Sequence, residues 1–240
     1  MKGLKYAIGF LGMLTTVLTA SRAQEYLAPE PGLLAECDPY HLKVRTVFAA
    51  AQTDEVICSV VILGSFAAEQ LVGVRKTDKG CEVFIVTPSS SIWNTELVRM
   101  HEAGQITSFD KDGKKLTLDE DASFQSLKKS TPEDFRKIST VVKAVAVDEV
   151  LAQRIAAVWE RMLLSARHPK QPNQGLDGAS YHFSMFVLGR GVISGQVWSP
   201  AEKTKTSALV ELAYVLSGFA TGQADVETLK KSISRAEKRT

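Results

Sequence analysis

Apolar positions recur along this chain in two different rhythms, three-to-four and two, and the alternation of those rhythms predicts most of its elements. Asp38-Pro39 resembles a helix start, and Leu42, Val44, Val47, Phe48 and Ala51 carry a rough helical face to about residue 52. Residues 56–63 are uniformly apolar and rich in β-branched side chains, which fits a buried strand or a short core helix. Residues 70–76 and 81–87 flank the turn Thr77-Asp78-Lys79-Gly80 and predict a hairpin. A third strand is expected over 96–102, and a second hairpin over 106–109 and 115–118 around Asp110-Lys111-Asp112-Gly113.

Residues 119–137 are polar and read as a surface connection, with Thr131-Pro132-Glu133-Asp134 opening a short helix. The clearest helix starts at the cap Asp148 and runs to about Arg167. Val150, Leu151, Ile155, Val158, Trp159, Met162 and Leu163 recur at helical spacing, and charges fill the other face. A loop over 169–178 leads to a further hairpin, 181–187 and 192–198, around Leu188-Gly189-Arg190-Gly191. Two more helices follow, one over 207–219 stopped by Gly222 and one capped by Asp225 to about residue 236. The fold class expected is α+β, with antiparallel hairpins or a meander packed against amphipathic helices. The halves 24–118 and 138–240 either join through 119–137 or form one continuous domain.

The first residues have a different pattern. Met1-Lys2-Gly3-Leu4-Lys5 is basic, 6–20 is an apolar run, and Ser21-Arg22-Ala23 ends in small residues before polar Gln24-Glu25. Those are the parts of a secretory signal peptide, 1–23, and fifteen apolar residues rise only about 22 Å as a helix against about 30 Å of hydrocarbon. A periplasmic or secreted location is therefore expected, with no membrane span after cleavage. The charge changes with it: the 29 basic and 27 acidic residues lose Lys2, Lys5 and Arg22 and no acid, leaving 26 and 27, a net of −1. That balance gives no electrostatic reason to bind nucleic acid. In an oxidising compartment Cys37, Cys58 and Cys81 leave three pairings open, and Cys37 with Cys81, both at element edges, is favoured.

Chemistry is sparse. No G-x-S-x-G, H-E-x-x-H, C-x-x-C, Walker loop or G-x-G-x-x-G occurs, and four histidines without an i,i+4 pair give no metal-ligand pattern. No metal and no cofactor is expected. The dense constellation is 175–200. With Val187 opposite Val192, strand alternation puts His182, Ser184 and Phe186 on one side and Tyr181, Phe183 and Met185 on the other. Asp177, His182 and Ser184 are the candidate catalytic residues, with His182 as base and Asp177 as its orienter. Tyr181, His182, Gln196 and Trp198 are the candidate binding residues. The bland alternative is a half-buried hairpin with an aromatic core stripe. Ser89-Ser90-Ser91-Ile92-Trp93 reads as a ligand loop or as a loop whose Trp anchors in the core.

The stretch Gly175-Leu176-Asp177-Gly178-Ala179-Ser180-Tyr181-His182-Phe183-Ser184, then Gly195-Gln196-Val197-Trp198-Ser199-Pro200, resembles a pattern in small exported bacterial proteins of unknown function. In those a Trp-x-x-Met-Leu helix precedes it, as Trp159-Glu160-Arg161-Met162-Leu163 does here. The likeness covers about residues 150–220, implies a helix–hairpin–helix unit and carries no activity. A non-enzymatic binding, accessory or immunity-type protein with a protein partner in the cell envelope is the leading expectation. A periplasmic hydrolase built on His182, Asp177 and Ser184 is the alternative.

Overall fold

The computed structural model describes residues 25–30, 39–65, 67–109, 112, 114–117, 119–168 and 178–240. The signal segment, Cys37 and Asp177 lie outside them. Seven antiparallel strands form one sheet: β1 (Ala28–Pro29), β2 (Val56–Gly64), β3 (Gln70–Thr77), β4 (Gly80–Pro88), β5 (Thr140–Val147), β6 (Ala179–Val187) and β7 (Gly191–Trp198). Their spatial order is β1-β7-β6-β2-β3-β4-β5. Strands from both sides of residues 119–137 thus intermix in one sheet. Six helices accompany it among the described residues: α1 (Pro39–Phe48), α2 (Ile92–Glu102), α3 (Ala122–Ser130), α4 (Glu149–Leu164), α5 (Lys205–Ala220) and α6 (Val226–Arg239). The α+β class stands.

Strand alternation divides the apolar residues between two layers. Cys58, Val60 and Ile62 of β2, Val72 and Val74 of β3, Val83 and Ile85 of β4 and Phe183 of β6 face α4, α5 and α6 in the larger core. Trp159 on α4 is fully buried there, its ring edge-on to Phe183 and its indole N–H donating to the Ser59 carbonyl at 3.2 Å. On the opposite face Leu63, Leu71, Phe84 and Val86 pack with Val44 and Phe48 of α1, Ile92 of α2 and Ile138. No β6 or β7 residue enters that second cluster. Among the described residues the second layer therefore covers the central strands β2–β4 and leaves β6–β7 only half covered.

Several expectations change. Residues 96–102 are not a strand but the second half of α2, which starts where Ser91 accepts a hydrogen bond from the Asn94 N–H. In the serine-rich stretch Ile92, not Trp93, takes the core position, and Trp93 packs edge-on against Tyr40. Among the described residues the expected 106–118 hairpin shows one bridge, Phe109 with Lys115, and Asp110, Lys111, Gly113 and Leu118 lie outside them. The short helix expected from Thr131–Asp134 is a single 3₁₀ turn, Phe135–Lys137, capped by Asp134 through the Arg136 N–H, and no α-helix opens at Thr131. Instead Asp121 caps α3 through the Phe124 N–H, and Thr131 follows its end. The strand at 140–147 has no alternation to betray it, being mostly valine and alanine.

The cysteines are also corrected. Cys81 and Cys58 are buried free thiols, so no Cys37–Cys81 bridge forms in this structure. Both point into the larger core, but β3 lies between their strands, with Cys58 opposite Val74, Val74 opposite Val83, and Cys81 two residues further along. That offset separates their Cα atoms by about 12 Å, well beyond disulfide reach. Burial pushes the Cys58 thiol up to about 12, although a hydrogen bond with the Val74 backbone pulls the other way. Iodoacetamide at pH 8 is expected to leave Cys58 and Cys81 unlabelled in the native protein and to label both in urea, as read by peptide mass spectrometry.

Candidate functional site

On the half-covered face the hairpin β6–β7 and its neighbour β2 display two rows of side chains. Ser59, Ser184 and Ser194 lie side by side across three strands, and Val61, His182 and Gln196 form the next row, with Ala28 beyond. Ser180 and Trp198 form a further row, and Phe186 and Val192 close the far end. The pairing is one residue off the expected register: Val187 opposes Gly191, so His182 faces Gln196 rather than Val197. Gly191, at φ +78°, leaves the expected four-residue turn and pairs with Val187 as the first residue of β7, which shortens the turn to residues 188–190 and accounts for the shift. The side assignment survives because it depends only on parity within β6.

His182 has a carboxylate that the sequence did not point to. Its Nδ1 lies 3.0 Å from Oε1 of Glu30, which immediately follows β1, and both side chains are largely buried. Burial pushes the Glu30 carboxyl up, but the His182 hydrogen bond and charge, with Ser194 and Arg45, outweigh it and hold the group below the usual carboxylate range. An ionised carboxylate can only accept, so Nδ1 carries the proton and Nε2 is left with its lone pair when the ring is neutral. That Nε2 is buried and has no hydrogen-bond partner among the described residues. The ring of His41 on α1 stands edge-on to His182, 5.0 Å between centroids.

The depressed Glu30 value has a testable consequence. Stability from a depressed acid is present above its unfolded value near 4.5 and is lost as pH falls through the folded value. The wild-type urea midpoint should therefore fall more between pH 6 and pH 3.5 than that of Glu30→Gln. Equal falls would show that the pair contributes nothing to folding.

The remaining candidates separate. Ser184 shares a hydrogen bond of 3.1 Å with Ser59, and no bond joins it to His182. Tyr181 is on the other face, 6% exposed, with its hydroxyl 3.0 Å from that of Tyr214 on α5. It belongs to the helical layer and not with His182, Gln196 and Trp198. Beside Ser59 and Ser184 a groove of about 570 Å³ opens, walled by Gln52, Thr53 and Asp54 on one side and by Phe186 and Val192 on the other. The hairpin tip next to it is apolar and exposed, with Leu188 at 91%, Val192 at 72% and Phe186 at 59%.

Comparison with protein-family models, curated proteins and solved structures found no match to this chain. Function rests on the geometry. Among the described residues no group of three or more His, Cys, Asp or Glu is arranged to hold a metal ion, and no helix is long and apolar enough to cross a membrane.

Elsewhere, His101 sits 2.8 Å from the Ser108 hydroxyl and 3.8 Å from Asp121, stacked on Phe124. Asp121 and Phe124 tie His101 to the start of α3, its carboxylate neighbour is on the Nε2 side, and its Nδ1 has no hydrogen-bond partner among the described residues. His168 is exposed. Glu30, His41 and Ser59 were missed by sequence reasoning because each reaches the site from another element. The only local signal was Ser59, a polar residue inside an apolar strand.

Proposed function

We propose that this chain is an exported, non-enzymatic protein that binds a protein partner in the cell envelope through the β6–β7 hairpin and the serine-floored groove beside it. The observation that carries this reading is the juxtaposition of exposed Phe186, Leu188 and Val192 with the hydrogen-bonding row Ser59, Ser184 and Ser194. Apolar anchors beside adaptable polar groups are what a protein–protein contact needs. Export rests on the charged, apolar and small-residue pattern of residues 1–23. The near-neutral charge that remains after cleavage gives phosphate backbones no electrostatic hold.

Retention of partners from an envelope extract on the immobilised protein tests the proposal, with Phe186→Asp/Val192→Asp as the comparison. Both side chains are exposed, so the variant should keep its melting temperature. A stoichiometric partner held by the wild type and released by the variant is the expected result. Equal retention by both would place the interface elsewhere and defeat the assignment.

A hydrolase is the second reading, and one specific observation favours it: Glu30 on Nδ1 and an unpartnered Nε2 make His182 a base in the arrangement of a catalytic dyad. Against it, Ser184 bonds Ser59. Turnover of activated esters that disappears in a folded His182→Ala variant would establish the hydrolase in place of the binding protein.

A further inference from the structure

The two edges of the sheet are built differently. At one end β1 is only two residues long and finishes at Pro29, which has no N–H to offer, so that edge is blunt. At the other end β5 runs for eight residues and pairs, among the described residues, with β4 alone. Its side chains are exposed on both faces: Val141 at 52% and Val145 at 37% on the helix side, Val142 at 47% on the other, with Ala144 and Ala146 also exposed. Lys143 is its single charge. Every second residue of an edge strand turns its N–H and C=O outward, and such a row accepts another strand.

The geometry points to a second copy of this chain as the occupant, with β5 pairing antiparallel to its own twin so that one sheet runs through a two-fold dimer. The symmetry restricts the register. A two-fold axis perpendicular to the sheet keeps each face on its own side, so a residue can face only residues of its own parity. Centring on Lys143 would set two ammonium groups against each other. Centring on Ala144 puts a methyl group on the axis and Lys143 opposite Val145. Val142 then faces Ala146, and Val141 faces Val147. Centres further along avoid the lysine clash but shorten the overlap.

The ends of the strand fit the same arrangement. Exposed Lys137 precedes β5, with Arg136 before it already paired to Asp134, and exposed Asp148 and Glu149 follow the strand. Antiparallel pairing brings Lys137 of each copy toward Asp148 and Glu149 of the other. The contact lies at the edge farthest from the β6–β7 hairpin and leaves the groove of each copy open.

Sedimentation of the purified chain over a concentration series tests this, with three variants checked for unchanged melting temperature. The wild type should reach a dimer by about 100 μM. Val145→Lys places a lysine opposite Lys143 at both symmetric positions and should raise the dimer dissociation constant at least about tenfold. Adding Lys143→Glu to that variant creates two opposite-charge pairs and should bring the dimer back. Ala144→Lys, which puts two lysines on the axis, reads the same contact should Val145→Lys fold poorly. A wild type that stays monomeric overturns the proposal, including one whose β5 takes up only an extended peptide from another protein. A dimer indifferent to Val145→Lys and Ala144→Lys overturns it equally.

Discussion

Glu69→Ala is expected to lower the unfolding free energy by about 3–4 kcal/mol. Glu69 is 0% exposed, immediately before β3. Its carboxylate accepts from the N–H of Trp93 at 2.7 Å, the N–H of Ile92 at 2.9 Å and the Tyr40 hydroxyl at 2.8 Å, with the Ser91 hydroxyl at 3.4 Å. Two of those donors are the first N–H groups of α2, which have no partner inside the helix and sit at the positive end of its dipole. Truncation leaves them buried without an acceptor. The residue also joins three elements, α1 through Tyr40, α2 through its N-terminus and β3 through its own backbone. Tyr40→Phe removes one donor and should cost only about 1 kcal/mol, with Glu69→Gln in between because its amide NH₂ must face another donor. For a chain of this length the Ala variant should melt about 10 °C lower. A Glu69→Ala loss no greater than that of Tyr40→Phe would show that the helix start is held by something else.

Trp159→Ala should cost about 3–5 kcal/mol, through loss of apolar contact and the cavity it leaves between α4 and the sheet. Trp159→Phe retains most of the packing against Phe183 and removes the hydrogen bond to Ser59, so about 1–2 kcal/mol is expected. The bond has a second consequence. Ser59 receives it on its carbonyl while its side chain forms the groove floor with Ser184 on the opposite face. Trp159→Phe should therefore weaken retention of the partner in a protein that remains folded at 25 °C. Chemical denaturation and the retention assay measure the two effects separately. Unchanged stability in Trp159→Phe would mean that the indole bond contributes nothing and that the groove floor is held by the ladder alone.

The elements legible beforehand are those whose signals are local. Asp148 and Asp225 cap α4 and α6 as their position before a periodic run predicts. Thr77-Asp78-Lys79-Gly80 and Leu188-Gly189-Arg190-Gly191 turn the chain where glycine permits it. Within 96–102 Val98 and Met100 alternate with Arg99 and His101 in a strand-like rhythm, which the Ser91 cap and Glu69 override by fixing a helix start at Ile92. Strand β5 escaped notice because a run of valine and alanine carries neither rhythm. Only pairing with β4 gives it a place.

The candidate site divides in the same way. Residue order alone determined that His182 and Ser184 share a face and that Tyr181 does not, because side chains alternate along any strand. It likewise determined two helix caps, two hairpin turns and the absence of any local catalytic motif. Tertiary structure alone decided that Glu30, 152 residues away, supplies the carboxylate on His182, that Ser184 bonds Ser59 across 125 residues, and that Cys81 stays free. It decided too which edge of the sheet is left open, since strand order is a choice among pairings that no local stretch of sequence encodes. Local chemistry sets what each segment can be, and contacts distant in sequence set what it meets.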